Sequence, residues 1–311
     1  MFYNKIFFAT TASPTCDNAA KVAFDMAAKY GAELVVFHVL GVPTRGFSTK
    51  VQDVKTGEME DLYDENYTAL VKEEIRTYYE DLIETADNVR IEVTVGVPHT
   101  EILRHARKEA ADLIIIGSHN TDQDVASTRY RGVAGTTMRK VAKRARCPVA
   151  IISRPCTTCW KLFSNIVFAT DFSRAADSAF LYAYKSAKAI GARLYLMHSY
   201  DLSASYAGGG APTQGQIEAK VKEAEKLMQE KYISKMADYD NYEVAIWEGT
   251  PYVEILKYAR DKQADLIVMA HHAREYDDPE DAEMGSTVEQ VVLRSPCPVA
   301  SVNHPDMIAD K

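Results

Sequence analysis

The sequence predicts an α/β protein built from two tandem doubly wound domains, each with a five-stranded, mainly parallel sheet flanked by helices. The first observation behind this prediction is a long internal repeat. IFFATT at residues 6–11 recurs 160 residues later as IVFATD at residues 166–171, and CPVA recurs at Cys147 and Cys297. A period of this length is that of a whole domain, because solenoid repeats are roughly 20–50 residues long.

The second observation is the alternation of apolar runs of strand length with stretches of helical periodicity. This order is typical of parallel strands joined by helices that cover both faces of the sheet. In the first copy we predict strands at 6–10, 34–39, 89–95, 113–116 and 149–152, and helices at 17–30, 60–86, 98–109 and 136–144. In the second copy we predict strands at 166–170, 194–197, 243–247, 266–270 and 299–302, with helices ending at 190, spanning 216–236, and starting at 251 and 286.

Local signals support individual elements. Gly31 follows the first helical stretch and suits a helix C-terminus, and Pro98 suits the first turn of a helix. The run LIII at 113–116 has the uniform apolar character of a strand buried on both faces. By contrast, 89–95 alternates apolar and polar residues and is expected to be less buried. We place the first domain at residues 1–154, a linker at 155–164 and the second domain at residues 165–311.

Composition bounds the function. The 311 residues carry 36 basic and 44 acidic side chains, a net charge of −8, which argues against general nucleic-acid binding. The N-terminus does not have the pattern of a signal peptide, and no apolar run approaches the ~20 residues of a membrane span. Five cysteines are too few and too scattered for a disulfide framework. We therefore expect a cytoplasmic protein without a membrane partner.

Ligands of open parallel sheets bind beyond the carboxyl ends of the strands, near a reversal of strand order. The loop after the fourth strand of the first copy is rich in glycine and hydroxyl residues and opens a helix, so its N–H groups could bind phosphate. The candidate residues are Gly117, Ser118, Gly132, Gly135, Thr136 and Thr137. The alternative is that Gly135 and Thr136 only cap the helix.

Several short motifs occur in the same order in both copies. The first copy has His38-Val39, Gly96-Val97-Pro98 and Cys147-Pro148-Val149, and the second has His198, Gly249-Thr250-Pro251 and Cys297-Pro298-Val299. With the glycine loop, these motifs resemble the universal stress protein family over nearly the whole chain. The resemblance implies a tandem universal stress protein, in which each half is an adenine-nucleotide α-hydrolase-like domain.

This resemblance implies a stress-response protein that binds ATP or a related adenine nucleotide, with magnesium as a candidate companion ion and at most slow hydrolysis. In the first half, adenine is expected near Thr10, Thr11 and Val39, and the phosphates at the glycine loop. The resemblance also implies that the last strands, 148–152 and 298–302, pair with each other within one chain. A further homodimer is left open.

The two copies depart from the family pattern in different ways. The family's aspartate after the first strand is Thr11 in the first copy and Asp171 in the second. The second copy replaces most of the glycine loop, which leaves as its candidate site Asp171, Ala270, His271, Gly285, Ser286 and Thr287. We expect the first half to be the stronger nucleotide site, because backbone donors at a helix start are harder to replace than one acid.

Two other functions stay open at this point. In one, both pockets are degenerate and the chain is an interaction or scaffold module. In the other, the C-x-x-C pair Cys156 and Cys159 is a redox or metal sensor, with His271 and His272 as further candidate ligands. Cys147 and Cys297 are expected to be inert core thiols. The common motifs of phosphate-binding loops, serine hydrolases and zinc peptidases do not occur, so we assign no catalytic residue.

Overall fold

A computed structural model describes residues 3–42, 48–52, 59–61, 63–118, 135–154, 163–202, 213–270 and 285–302. The first half contains β1 (Lys5–Thr10), α1 (Asp17–Tyr30), β2 (Glu33–Gly41), β3 (Lys50–Gln52), β4 (Met59–Asp61), α2 (Glu65–Tyr78), α3 (Glu80–Ile83), β5 (Val89–Gly96), α4 (Pro98–Lys108), β6 (Leu113–Gly117), α5 (Thr136–Arg144) and β7 (Val149–Ile152). The second contains β8 (Asn165–Thr170), α6 (Arg174–Ile190), β9 (Arg193–Tyr200), α7 (Gln214–Lys231), β10 (Tyr242–Glu248), α8 (Pro251–Asp261), β11 (Leu266–Met269), α9 (Ser286–Arg294) and β12 (Val299–Ser301).

The predicted fold class is confirmed. The larger sheet has the strand order β10-β9-β8-β11-β12-β7-β6-β1-β2-β5, and within each half the neighbouring strands are parallel. The order therefore reverses at β1, between β2 and β6, and again at β8, between β9 and β11. These two reversals place a ligand edge in each half.

The two halves meet where β7 and β12 pair antiparallel. Ala150 faces Ala300, and the flanking pairs are Val149 with Ser301 and Ile151 with Val299. Because equivalent residues of the two strands are 150 positions apart, this register has two-fold symmetry about the alanine pair. All six residues are at most 1% exposed, so the join lies in the middle of the protein.

Apolar side chains from both halves form two continuous cores, one on each face of the sheet. One core includes residues of α1 and α6, and the other includes residues of α4, α5, α8 and α9. Polar contacts also cross the join: the Tyr3 and Tyr182 hydroxyls are 2.7 Å apart and buried, and Arg139 of α5 is paired with Glu289 of α9.

The prediction of one long helix over residues 60–86 was wrong in two respects. Its start is strand β4, which pairs antiparallel with β3, and Asp64 caps α2 by accepting a hydrogen bond from the Tyr67 N–H. The helix then breaks at Tyr79, whose φ of −106° and ψ of 18° lie outside the helical range. The Tyr79 hydroxyl is hydrogen-bonded to Thr10 at 2.6 Å, so a tertiary contact fixes the residue at which helical periodicity stops.

At the amino edge of the sheet, each half has an aspartate directly before a central strand: Asp112 precedes β6 and Asp265 precedes β11. Asp112 accepts hydrogen bonds from the Asn4 and Lys5 N–H groups, and Asp265 accepts them from Ser164 and Asn165. Asp265 is only 2% exposed. Burial raises its pKa to about 6, although the two N–H donors and the Lys29 ammonium oppose the shift.

We expect Asp265 to make the folded state more stable as the pH falls from about 7 to about 4. The folded protein binds this proton more tightly than the unfolded chain, whose aspartate has an ordinary pKa of 3.8. The contribution is about 3 kcal/mol, present at low pH and lost as the pH rises through about 6. Urea unfolding should show that the free energy of unfolding of wild type rises relative to that of Asp265→Asn as the pH falls across this range.

The counterpart Asp112→Asn is the matched control for this titration. It removes the same kind of carboxylate from the first half and should leave the Asp265 contribution in place. The assignment would be contradicted if the free energies of unfolding of wild type and Asp265→Asn differed by a constant amount between about pH 4 and about pH 7.

Gly249, in the turn between β10 and α8, is needed for its backbone conformation. Its φ is +143°, and an added Cβ would lie 2.8 Å from Cγ of Glu254. Gly249→Ala should therefore destabilise the protein by about 1–3 kcal/mol. Gly215→Ala is the control, because a Cβ at Gly215 in α7 meets none of the described atoms within 4 Å and alanine favours the helix. Equal melting temperatures for the two variants would show that the Gly249 conformation is not constrained.

Candidate functional site

A cavity of about 270 Å³ lies at the ligand edge of the second half. The ends of β8, β9 and β11 form its floor, and the first turns of α8 and α9 form its sides. The polar residues and glycine that line it are Thr170, Asp171, Ser199, Gly285, Ser286 and Thr287. Apolar walls come from Met197, Ile255, Met269 and Val288. The volume lies near the lower end of the usual range for small-molecule sites, roughly 300–1,000 Å³.

Gly285 precedes α9 and faces this cavity. Its φ of −37° and ψ of 140° do not require glycine, and an added Cβ would meet no atom of the described residues within 4 Å. Neither backbone strain nor packing against the described part of the chain therefore explains the glycine. A residue without a side chain at this point allows a ligand to approach the backbone closely.

The start of α9 offers hydrogen-bond donors to the cavity. The first hydrogen bond of the helix runs from the Glu289 N–H to the Gly285 carbonyl at 3.1 Å, so the N–H groups of the residues between them have no partner within the helix. Ser286 and Thr287 add hydroxyl groups. Such a helix start favours an anion, through both its N–H groups and the helix dipole.

Asp171 lies at the mouth of the cavity, directly after β8. One carboxylate oxygen accepts a hydrogen bond from the Ser173 N–H at 3.0 Å, and the side chain is exposed. The next residue, Phe172, has a left-handed φ of 62°, and its N–H donates to the Thr170 hydroxyl at 2.9 Å. This tight turn sends the chain away from the sheet and leaves Asp171 beside the cavity.

The two strand-end histidines, His38 and His198, each contact a carbonyl oxygen of the neighbouring strand. Nδ1 of His38 lies 2.9 Å from the Thr10 carbonyl oxygen, and Nδ1 of His198 lies 2.8 Å from that of Thr170. Burial lowers the pKa of His198, so its ring is neutral at pH 7 and Nδ1–H is the donor. His198 precedes Ser199 on β9 and points to the opposite face, where it contacts Phe172.

In the first half, the predicted polar groups are engaged by the protein itself. The Thr10 hydroxyl is hydrogen-bonded to Tyr79 and accepts from the Ala12 N–H. Thr11 is hydrogen-bonded to Ser13 at 2.8 Å and lies 3.3 Å from the Cys16 thiol. Val39 is partly buried and packs against the core on the α4 side.

The first-half glycine loop is also tied internally at both of its described ends. Gly117 is buried, and an added Cβ would lie 3.3 Å from the Thr15 carbonyl oxygen, so close packing explains this glycine. Ser118 donates its N–H to Ile152 and accepts a hydrogen bond from the Gly135 N–H at 3.0 Å. Gly135 therefore has no N–H left for a phosphate, whereas Thr136 and Thr137 begin α5 and keep theirs.

Five predicted residues lie outside the described part of the chain: Gly132, Cys156, Cys159, His271 and His272. The described residues contain no group of three or more His, Cys, Asp or Glu side chains that could hold a metal ion. Burial raises the pKa values of the Cys147 and Cys297 thiols to about 12, which keeps both uncharged at neutral pH.

Sequence reasoning missed Ser199, whose hydroxyl lines the cavity and donates to the Gly249 carbonyl at 3.1 Å. It also missed the apolar walls Met197, Ile255 and Met269. The internal repeat carried the signal for Ser199, because this residue is the equivalent of Val39, which was predicted to contact adenine in the first half.

The fold defines a class: a tandem α/β protein with a ligand edge beyond the strands of each half, and with a described cavity at the edge of the second half. A model of the universal stress protein family matches residues 2–153 and again residues 162–303. The chain therefore belongs to the universal stress protein family, with one family domain in each half.

Individual relatives agree with this assignment. Universal stress protein MJ0531 of Methanocaldococcus jannaschii is 28% identical over 159 residues, which are 49% of this chain and 84% of that protein. A universal stress protein of Thermus aquaticus is 30% identical over 141 residues, 45% of this chain and 99% of that protein. Each of these relatives thus matches about one half of the chain.

The fold of the whole chain is similar to that of a solved universal stress protein from Archaeoglobus fulgidus. The TM-score is 0.66 with 22% identity, over 98% of this chain and 99% of the other. Protein PA1789 of Pseudomonas aeruginosa, titled as functionally unknown, has a TM-score of 0.62 with 20% identity over 99% of this chain and 95% of the other. Among the described residues, no helix has the length and apolar character needed to cross a bilayer.

Proposed function

We propose that this protein is a cytoplasmic stress-response protein that binds ATP or a related adenine nucleotide in the cavity of its second half. The observation that carries the proposal is Gly285, a glycine at the start of a helix that faces a cavity, for which neither its backbone angles nor its neighbours among the described residues give a reason. The resemblance of both halves to nucleotide-binding domains of the family gives the ligand class.

In this proposal the adenosine lies between the apolar walls Met197, Ile255 and Met269. The Asp171 carboxylate accepts hydrogen bonds from the ribose hydroxyls or the adenine amino group, since an ionised carboxylate has only acceptors. The phosphates lie over Gly285 and the first turn of α9. The described lining contains no lysine or arginine, so backbone N–H groups and hydroxyls bind the phosphates there.

The described contacts favour the second half over the first, in contrast to the prediction from sequence. The Thr11 hydroxyl is already hydrogen-bonded to Ser13, whereas the second half has the exposed Asp171 carboxylate at this position. The first half also places Phe37 where the second half has Met197, and the Phe37 ring packs against Phe7 at 4.8 Å between centroids. Rigid rings leave less room to adapt to a base than a methionine does.

Hydrolysis is at most slow in this proposal. Asp171 is the one ionisable side chain in the described cavity lining, and it lies at the mouth rather than at the phosphate end. Rapid phosphoryl transfer needs a positioned nucleophile and cations at the developing charge. Magnesium would enter bound to the nucleotide's own phosphates.

We expect calorimetric titration with magnesium and ATP to give one site per chain. Gly285→Val should weaken binding at least about tenfold, because its side chain occupies the phosphate position, a loss of about 1.4 kcal/mol or more. Since a Cβ at Gly285 meets nothing within 4 Å in the described structure, Gly285→Ala should leave the melting temperature unchanged. Gly135→Val in the first half is the matched variant and should bind ATP like wild type.

The reverse result for the two valine variants would place the nucleotide in the first half. If folded wild-type protein gives no binding heat at several temperatures, the nucleotide proposal is wrong. The interaction module with degenerate pockets is then the better interpretation. A third result, zinc bound to the purified protein and lost on Cys159→Ser, would favour the sensor hypothesis.

A further inference from the structure

A second cavity, of about 140 Å³, lies in the first half between α4 and α5, at the end of the strands opposite that half's ligand edge. Its walls are apolar and come from α4, β6 and the chain after α5; they include Leu103, Ala106, Ile114 and Ala145. The partly buried Cys147 also lines it, and its thiol is uncharged at neutral pH. The cavity is at the amino edge of the sheet and shares no residue with the second-half cavity.

Three arginines lie around these apolar walls: Arg107, Arg144 and Arg146. The side chains of Arg107 and Arg146 are exposed, and no ion pair to either is found among the described residues. Glu109, close to Arg107 in the chain, is already paired with Lys5 and Arg90. Within the described part of the chain, the cavity therefore combines an apolar interior with the positive charges of Arg107 and Arg146 at its rim, neither of which has an ion-pair partner there.

The equivalent region of the second half has other residues at three positions. The equivalents of Ala110, Ala145 and Arg146 are Gln263, Ser295 and Pro296. The Ser295 hydroxyl is buried, donates to the Cys297 carbonyl at 2.6 Å and accepts from the Cys297 N–H at 3.2 Å. Cys297 is correspondingly only 5% exposed. Small residues in the first half leave this space open, and one extra arginine borders it.

We propose that this cavity binds a small carboxylate with an apolar body, of the size of benzoate or a short fatty acid. The volume is close to that of an engineered apolar cavity of roughly 150 Å³ that holds benzene in another protein. A guanidinium group binds a carboxylate through two parallel hydrogen bonds, which suits the arginine rim. The apolar body of the ligand lies against Leu103 and Ile114.

Other small ligands fit this site less well. A metal cation would be repelled by the arginines and would find no carboxylate or imidazole among the lining residues. An inorganic phosphate would leave the apolar interior empty. A neutral apolar molecule would fill the interior but gain nothing from the rim.

Ligand-observed NMR and calorimetry with benzoate test the proposal, with benzamide as the neutral probe of the same shape. We expect benzoate to bind in the millimolar range or tighter and benzamide to bind about tenfold more weakly, because only the carboxylate forms the charged pair. Arg107→Ala with Arg146→Ala should reduce benzoate binding to the benzamide level. Arg260→Ala, the equivalent of Arg107 in the second half, should change nothing.

A double variant that copies the second half, Ala110→Gln with Ala145→Ser, should close the cavity and abolish binding of both probes. Ala110 and Gln263 share a left-handed φ, 50° and 48°, so the new glutamine meets no new backbone strain. A melting temperature at or above the wild-type value shows that the variant folds. Equal binding of benzoate and benzamide, unchanged binding in the closed variant, or no binding of benzoate to wild type would each overturn the proposal.

Discussion

The antiparallel pairing of β7 with β12 is the constraint on which the rest of the structure depends. Each half taken alone is a parallel sheet whose last strand, β7 or β12, lacks a neighbour on one side. In the whole protein both of these strands are buried. A single symmetric register around Ala150 and Ala300 closes these two edges against each other. Because the strands of both halves then belong to one sheet, the helices on each face pack into one core rather than two. The Tyr3–Tyr182 contact follows from this arrangement, since it needs both halves in place.

Within this symmetric frame the two halves keep the same scaffold but differ in their cavities. The turn after the first strand, with its threonine, tyrosine and histidine contacts, is the same in both halves. The differences lie in residues that the scaffold does not need. Ser199 and Gly285 leave room at the carboxyl edge of the second half, and Ala110 and Ala145 leave room at the amino edge of the first. The described part of the chain thus has a candidate pocket at the carboxyl edge of the second half and another at the amino edge of the first.

Most of the fold could be predicted from the sequence, because the repeat and the apolar runs of β6 and β11 are local and strong signals. Helix α1 and its end at Gly31, which has a left-handed φ of 61°, were predicted to the residue. The break at Tyr79 could not be, because its cause is a hydroxyl contact with Thr10, 69 positions away. The site was harder for the same reason: the sequence shows that Gly135 has an N–H, but not that Ser118 accepts it. Gly117 and Gly285 look alike in sequence. Close packing against Thr15 accounts for Gly117, whereas a Cβ at Gly285 would meet no atom of the described residues within 4 Å.

The covalent join between unlike halves has a consequence for how such a protein can change. Two separate domains with the same self-complementary last strand would form three kinds of pair, two of them between identical copies. A single chain brings each half to the other at a high effective concentration, so the unlike pair forms every time. A half that acquires mutations is then always paired with the other half of the same chain. This frees each half to lose a pocket that the other retains, without producing a population of particles that lack it altogether.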